Sequence, residues 1–238
     1  MGNSAMSQHF QREIERLKKK ILALSAVVED SVRRAIRSVE ERDTVLAQRV
    51  IKTDADIDQT EIDVEEDCLK ILALHQPVAI DLRFIVAVLK INNDLERIGD
   101  MAANIAERAV FLSTQDKLDI PFNLRDMAEK AQSMLRRSLD ALVNLDSALA
   151  LQVCADDDEV DALYAKMYDL ARESILAQPE SIEILLNMLT VSRALERIAD
   201  HATNIAEDVI YMIEGEIVRH GAKDFKPPAG SDVKRWQS

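Results

Sequence analysis

Acidic residues recur in two distant segments of the chain at a spacing that would place them together on a helix. Glu96 and Asp100 are four residues apart, and so are Glu196 and Asp200. On a helix this spacing puts both carboxylates on one face, about 6 Å apart. Carboxylate oxygens suit Mg, Mn, Ca or Fe better than they suit metals that prefer thiolates. Each pair is therefore a candidate metal-binding site.

The two pairs belong to a duplicated segment. Residues 95–108 align without gaps on residues 195–208, and 10 of the 14 positions are identical. Helix packing explains why Leu, Ile and Ala recur, but it does not explain why Glu, Arg, Asp and Asn recur with them. A solvated acidic face is the ordinary interpretation of such a stripe on one helix. Its duplication favours a function instead.

The elements that must position these acids are helices. The chain has only 5 Gly and 5 Pro, and its long stretches without either are rich in Ala, Leu, Glu, Arg and Ile, which favour helices. Aromatic residues make up 4% of the chain, so the core must be aliphatic. The periodicity predicts six long helices, over residues 7–42, 44–74, 78–112, 124–144 and 147–177, and from the break at Gln178–Pro179 to residue 214.

The predicted fold class is all-α, with two tandem, similar three-helix bundles related by a pseudo-twofold internal repeat. The bundles span residues 7–113 and 123–217. Asp43 is expected to cap the second helix, and Asp146 or Ser147 to open the fifth. Pro77 is expected to be the first residue of the third helix. We expect residues 1–6 to be a tag remnant or a disordered start, and residues 221–238 to be a disordered tail.

The third and sixth helices each carry an apolar seam with spacings of four and three residues, which is typical of bundle packing. The polar stripe of the third helix lies roughly opposite its seam, and it contains Glu96, Asp100, Asn104 and Glu107. The seam residues are Ile91, Leu95, Ile98, Ala102, Ile105, Ala109 and Leu112, and then Val191, Leu195, Ile198, Ala202, Ile205, Val209 and Met212.

Further acids are expected at the same heights on the neighbouring helices. If two helices form an antiparallel hairpin, residues equidistant from its turn lie level with each other. Four clustered negative charges repel unless they are protonated or neutralised by a cation. The rotation of each helix decides whether the acids face each other. The predicted metal ligands are Asp54, Asp58, Glu96 and Asp100 in the first half, and Asp157, Asp161, Glu196 and Asp200 in the second.

Several other polar residues are weaker candidates. Arg97 and Arg197 are expected to be salt-bridge partners of the acids. His75 and His201 are expected to be surface histidines, and His9 and His220 carry no pattern. The additional candidates for metal binding, or for supporting the ligands, are Glu29, Asn104, Glu107, Glu129, Asn204 and Glu207.

Composition restricts the class of function. The formal net charge is −13, which argues against a nucleic-acid-binding protein. No apolar run reaches the roughly 18 residues of a membrane span, and the start has no secretory signal, so we expect a cytoplasmic protein. Cys68 and Cys154 lie far apart in helical patterns and are expected to be small buried residues.

The sequence resembles the PhoU family, the accessory regulators of the bacterial phosphate-specific transport system. Residues 71–85 contain the string Gln-Pro-Val-Ala, and residues 89–100 contain Leu-Glu-Arg-Ile-Gly-Asp, which are the specific elements of the likeness. The likeness covers about residues 14–211. Ala199 replaces the motif glycine in the second copy, and that copy also lacks the Asp81 and Arg83 of the first, so a partner surface made by these two residues would exist only in the first half.

The resemblance implies a pair of three-helix bundles, a cytoplasmic location and frequent dimerisation to a homodimer. It also implies metal bound by (Glu/Asp)-x-x-x-Asp motifs, which map onto Glu96 with Asp100 and onto Glu196 with Asp200. The metal would be Fe, Mn, Mg or Zn. The implied role is an adaptor between the ATPase subunit of the phosphate ABC transporter and a sensor histidine kinase, which represses the phosphate-starvation response when phosphate is plentiful.

Two other functions compete with a regulatory adaptor. A di-metal carboxylate enzyme of the ferritin-like type would use Glu-x-x-His motifs, and the chain has none. A metal-free structural helical protein gives no reason for identical polar residues in both copies. The chain also lacks a nucleophile–base pattern and a phosphate-binding glycine-rich loop. The sequence therefore predicts that the protein is not an enzyme.

Overall fold

The structure, a computed structural model, describes residues 2–116 and 124–216, and their side chains from residue 8 onward. Within these ranges the chain is helical and has no strand, which confirms the predicted all-α class. The elements are α1 (Gly2–Glu41), α2 (Thr44–His75), α3 (Ala79–Ser113), α4 (Leu124–Asn144), α5 (Ser147–Ala177) and α6 (Ile182–Glu214), with a short 3-10 helix at Pro179–Ser181.

The second helix of each half begins at an aspartate cap. The Asp43 carboxylate accepts a hydrogen bond from the backbone N–H of Leu46 at 2.9 Å, and Asp146 accepts one from Leu149 at the same distance. Both caps satisfy a backbone donor that has no partner within the helix. These bonds set the starts of α2 and α5 where the sequence predicts them.

The helix ends at the two hairpin turns differ from the prediction. Gln76 adopts a left-handed conformation with φ 47° and ends α2, and Val78 is extended, so α3 starts at Ala79 and Pro77 lies in the turn rather than in the helix. In the second half the corresponding turn continues through the 3-10 helix that begins at Pro179.

The chain ends also bear on the predicted boundaries. α1 begins at Gly2, so the segment 2–6, expected to be disordered, continues the helix. Extending an existing helix costs much less than nucleating one, which accounts for the longer element. Residues 113–123 are predicted to link the two bundles, and α3 reaches Ser113 at the start of that stretch. The rest of this linker from residue 117 to 123 and the predicted tail at 221–238 lie outside the described residues.

The two three-helix units share one core. α3 contacts α1, α2 and α6, while α6 contacts α3, α4 and α5, so these two helices lie at the centre. α1 also contacts α4 across the two halves. All fourteen predicted seam residues are buried, and one continuous apolar cluster includes residues from all six helices.

The central position of α3 changes the environment of its polar stripe. Ala103 and Ala106 are buried together with the seam, because three helices surround α3. Glu96, Asp100 and Asn104 are consequently half-buried rather than fully solvated. Among the described residues, no helix is apolar enough over a sufficient length to cross a membrane.

Candidate metal centres

The first carboxylate cluster lies between α2 and α3. Asp54 and Asp58 come from α2, and Glu96 and Asp100 come from α3. Carboxylate oxygens of Asp54, Asp58 and Asp100 lie within 4.8 Å of one another. Burial raises the pKa of Glu96, and the charges of Asp100 and Asp58 raise it further, so Glu96 belongs to the same electrostatic neighbourhood. The four acids predicted for this half are brought together.

The second carboxylate cluster lies between α5 and α6. Here the oxygens of Asp161, Glu196 and Asp200 lie within 4.8 Å of one another. Asp157 is the fourth member, because its pKa is raised first by burial and then by the charges of Asp200 and Asp161. Burial and the charge of Asp161 also raise the pKa of Asp200. The acids predicted for the second half therefore converge as well.

Asp54 and Asp157 occupy equivalent positions and share the same unusual state. Burial, with the neighbouring carboxylates, raises the pKa of each to about 6. One oxygen of each, Oδ1, is buried and has no hydrogen-bond partner that meets geometric criteria. The hydroxyl of Thr203 lies close enough to Asp157 to lower its pKa against these effects. A buried acceptor without a partner typically costs about 1–3 kcal/mol, and a bound cation would satisfy it. This is the observation that makes both clusters fit a cation.

The amides one turn after the aspartates differ between the halves. The side-chain oxygen of Asn104 is buried without a hydrogen-bond partner. The equivalent Asn204 instead donates a hydrogen bond from Nδ2 to Asp94 on α3 at 3.3 Å. Of the two amides, Asn104 is thus the one with an unsatisfied oxygen that a cation could use.

The arginines of the repeated motif moderate the negative charge. Arg97 lies 3.4 Å from Glu96 and 3.3 Å from Asp100, as an ion-pair partner of both. In the second half, the charges of Arg193 and Arg197 lower the pKa of Glu196 against the effect of burial. The charges of His201 and Arg197 do the same for Asp200. These few partly exposed positive charges do not balance four carboxylates, so an excess of negative charge stays at each site.

The outlying acids proposed from sequence are placed at different surfaces. Glu29 and Glu129 line one cleft of about 230 Å³ between α1 and α4, and Glu129 also pairs with Arg125 at 3.0 Å. Neither belongs to the groups of oxygens that converge within 4.8 Å among the described residues. Glu107 does interact with the first cluster, because its charge contributes to the raised pKa of Asp54. Glu207 acts similarly on the pKa of Cys154.

Asp81 and Arg83, the predicted partner surface, lie near the start of α3. Asp81 is exposed in the first turn. The guanidinium of Arg83 lies against Gly215, which ends α6 in a left-handed conformation with φ 78°. A cation at a helix C-terminus is favourable, because unpaired carbonyls concentrate negative charge there. Arg83 therefore already has a structural contact within the chain.

Gly99 in the first copy of the repeated motif allows α2 to approach α3 closely. A methyl group at Gly99 would lie 3.1 Å from Ile57 Cγ2 and 3.5 Å from Asp54 Oδ1. Glycine thus leaves room for both the apolar contact and the carboxylate. The second half has Ala199, and the position equivalent to Ile57 there is the smaller Val160. This paired difference accounts for the departure from the motif.

A third group of ligand-type side chains was missed by the sequence reasoning. His9, Glu13 and His75 place their donor atoms within 4.8 Å of one another where α1 passes the end of α2. His75 is 11% exposed rather than a surface histidine. His9 and His75 are nearly equidistant from the turn at Arg42–Asp43, so the sequence could have predicted that they lie level with each other on α1 and α2.

The comparisons with known proteins identify the family to which the chain belongs. The family model for the PhoU domain matches residues 21–109 and again residues 124–209. The chain belongs to the PhoU family. The two matched ranges coincide with the two halves of the internal repeat, so each three-helix unit is one PhoU domain.

Individual PhoU relatives agree along most of the chain. A phosphate-specific transport system accessory protein PhoU homolog of Pseudomonas aeruginosa is 38% identical and covers 90% of this chain and 89% of its own. A homolog of Aquifex aeolicus is 39% identical and covers 88% and 95%. The relatives are named as accessory proteins of phosphate transport rather than as enzymes, as predicted for this chain.

Solved PhoU structures share the architecture. The crystal structure of PhoU from Pseudomonas aeruginosa has a TM-score of 0.85 at 38% identity, covering 87% of this chain and 100% of that one. The phosphate transport system regulatory protein PhoU from Streptococcus pneumoniae has a TM-score of 0.77 at 30% identity, covering 88% and 99%. These likenesses extend the family assignment to the three-dimensional architecture of the chain.

Proposed function

We propose that this protein is a cytoplasmic regulatory adaptor of phosphate homeostasis that binds metal ions at both carboxylate clusters. The observation that carries the metal-binding part is the buried, unpartnered oxygen of Asp54 and of Asp157. Asp54 belongs to the first group of converging carboxylates, and Asp157 lies beside the second, whose charges raise its pKa. Oxygen donors of this kind suit Fe, Mn or Mg, with Zn a less favoured alternative.

Each metal site would be held by residues from two helices. In the first half Asp54, Asp58 and Asp100 offer converging oxygens, with Glu96 beside them. A bound cation supplies positive charge where four carboxylates otherwise repel each other. The residues of the chain position the acids on rigid helices, so metal occupancy would change the charge and shape of this face without being needed for the core.

The test of metal binding is the metal content of a variant that loses one cluster. We expect Glu96→Gln with Asp100→Asn to lose the metal of the first half and keep that of the second, since the clusters lie on different helix pairs. Elemental analysis of protein purified without chelator gives the stoichiometry, and circular dichroism on the same samples checks folding.

A matched control is available on α5. Asp169→Asn with Glu173→Gln removes an exposed pair of acids at the same four-residue spacing, outside both clusters. It changes the net charge equally and should leave the metal content unchanged. Equal metal in the wild type, the cluster variant and the control would show that the clusters are solvated acidic faces.

The adaptor role concerns protein partners. The relatives are named as accessory proteins of the phosphate-specific transport system, which supports an association with the ATPase subunit of the phosphate ABC transporter. The proposed second partner is a sensor histidine kinase, and the proposed oligomeric state is a homodimer, to be measured by light scattering.

Deleting the gene should switch on phosphate-starvation genes in abundant phosphate. Normal repression in the deletion strain would contradict the adaptor role, whatever the metal content.

A further inference from the structure

We propose that His9, Glu13 and His75 form a third metal site, specific to the first half, which binds Zn²⁺. The three side chains come from two helices that are not joined near the site. His9 and Glu13 are four residues apart on α1, and His75 is the last residue of α2. Their donor atoms nevertheless meet within 4.8 Å.

Both histidine nitrogens approach the same carboxylate oxygen. Glu13 Oε2 accepts a hydrogen bond from His75 Nε2 at 2.5 Å and lies 3.3 Å from His9 Nδ1. Donor atoms of a tetrahedral zinc site lie about 3.3 Å apart when each bond is about 2.0–2.1 Å long. The contact between His9 and Glu13 already has this length, and the contact between His75 and Glu13 needs to open by less than 1 Å.

The surroundings partly enclose His75 and Glu13. The ring of Phe10 lies 5.1 Å from the ring of His75, which is 11% exposed. Glu13 is 29% exposed, whereas His9 is 64% exposed and its ring lies 5.7 Å from that of His75. Two of the ligands are therefore partly enclosed, and the third, His9, lies on the solvent side, where an ion can enter.

The donor set differs in chemistry from the carboxylate clusters. Two imidazole nitrogens and one carboxylate oxygen favour Zn²⁺, Cu²⁺ or Ni²⁺ over Mg²⁺ and Ca²⁺, which prefer all-oxygen sites. Among these ions we assign Zn²⁺, because two histidines and one glutamate form a common three-ligand zinc set with one position open.

The site has no counterpart in the described part of the second half. The position equivalent to His75 is Gln178, and α4 has 21 residues against the 40 of α1. The site is also remote from the first carboxylate cluster, because His75 follows Asp58 by 17 residues of helix, or about 25 Å. Zinc bound here would clamp the first turns of α1 to the tip of the α2–α3 hairpin, independently of metal in the clusters.

The test uses Zn²⁺ and Co²⁺ as probes of the full-length, chelator-treated protein. Glu96→Gln, Asp100→Asn, Glu196→Gln and Asp200→Asn together remove most of the carboxylate sites and give the background. We expect this background protein to bind one equivalent of Zn²⁺, and to give intense visible absorption with Co²⁺, which four-coordinate nitrogen-containing sites show and all-oxygen octahedral sites do not.

Three ligand variants and one control decide the assignment. Each of His9→Gln, Glu13→Gln and His75→Gln should weaken Zn²⁺ binding at least about 100-fold, since even the loss of a supporting residue costs 10–100-fold. Glu15→Gln, an exposed acid on the same helix, should have no effect. His9 is exposed, so its variant keeps the fold even if the other two do not. Zinc affinity unchanged by His9→Gln, or Co²⁺ spectra without the intense bands, would overturn the proposal and leave the adaptor role untouched.

Discussion

The two halves of the molecule carry the same acids, but the apolar residues packed beneath these acids differ. Both place two aspartates of the second helix beside a Glu-x-x-x-Asp pair of the third. The residues beneath them differ, because Ile57 faces Gly99 in the first half, while Val160 and Ala199 occupy the equivalent positions in the second. Both halves thus keep the same acids. The side-chain volume beneath them is divided differently between the two helices, with a larger residue on α2 in the first half and on α6 in the second.

The halves also differ in the polar side chains that they contribute to the interface between α3 and α6. Asp94 on α3 is 7% exposed and accepts hydrogen bonds from His201 at 2.8 Å and from Asn204 at 3.3 Å, both on α6. The positions equivalent to Asp94 and His201 in the other half are Ala194 and Met101. The repeat is consequently not symmetric where α3 meets α6, and His201 has a structural partner instead of being a surface histidine.

The largest effect is expected at this asymmetric interface. His201→Ala removes the shorter hydrogen bond to the buried carboxylate of Asp94, and we expect a loss of about 1–3 kcal/mol in the free energy of unfolding. His201→Gln keeps an N–H donor and should lose less. Urea denaturation followed by circular dichroism measures both. Equal stability of the wild type and His201→Ala would show that the interface does not depend on this bond.

A smaller effect tests the exchange of volume between the halves. Val160→Ile adds a methyl group opposite Ala199, whose own methyl group occupies the space that Gly99 leaves free in the first half. We expect the free energy of unfolding to fall by about 1–2 kcal/mol because of overpacking. Combining it with Ala199→Gly recreates the first-half pair and should restore part of the packing, against the helix propensity that glycine loses.

The reciprocal cycle in the first half is the control. Gly99→Ala brings a methyl group to 3.1 Å from Ile57 Cγ2, and Ile57→Val should relieve that contact. Both double-mutant cycles should show a favourable coupling energy of about 0.5–1 kcal/mol in thermal or urea denaturation. Additive effects in both halves would contradict the idea that these positions compensate each other.

The smallest effect is the dependence of stability on pH in the metal-free protein. Burial raises the pKa of Asp54 and Asp157 to about 6 in the folded state, above the ordinary value near 4, so the folded protein binds more protons than the unfolded chain between these values. The contribution of these two groups to stability therefore increases as the pH falls from above 6 to about 4. Solvent screening limits the effect to an order of 1 kcal/mol.

Asp54→Asn with Asp157→Asn isolates this contribution. The variant cannot ionise at these positions, so it should melt about 2–4 °C above the wild type at pH 7.5 in the presence of chelator. The difference should shrink as the pH falls through 6 and approach zero at about pH 4. Asp169→Asn, an exposed aspartate on α5, should show no such convergence. A difference that is constant with pH would mean that the two carboxylates are not perturbed in the folded protein.

The sequence by itself determined the helical class, most helix starts and both groups of acids. The reason is that helical periodicity, aspartate caps and four-residue spacings are local features of the sequence. The positions of the hairpin turns then predict which residues of two antiparallel helices lie level with each other. The starts of α2 and α5 follow from Asp43 and Asp146 in this way. The repeat of identical polar residues then pointed to the same sites in both halves.

Only the tertiary structure decided how the helices are rotated and which side chains lose water. The burial of one oxygen on Asp54 and on Asp157 depends on α3 and α6 lying at the centre of a shared core. Glu29 and Glu129 have suitable heights but turn to a cleft between α1 and α4, because rotation is set by packing partners distant in sequence. His9 and His75, 66 positions apart in sequence, meet for the same reason, since contacts across a helix pair depend on which faces pack together.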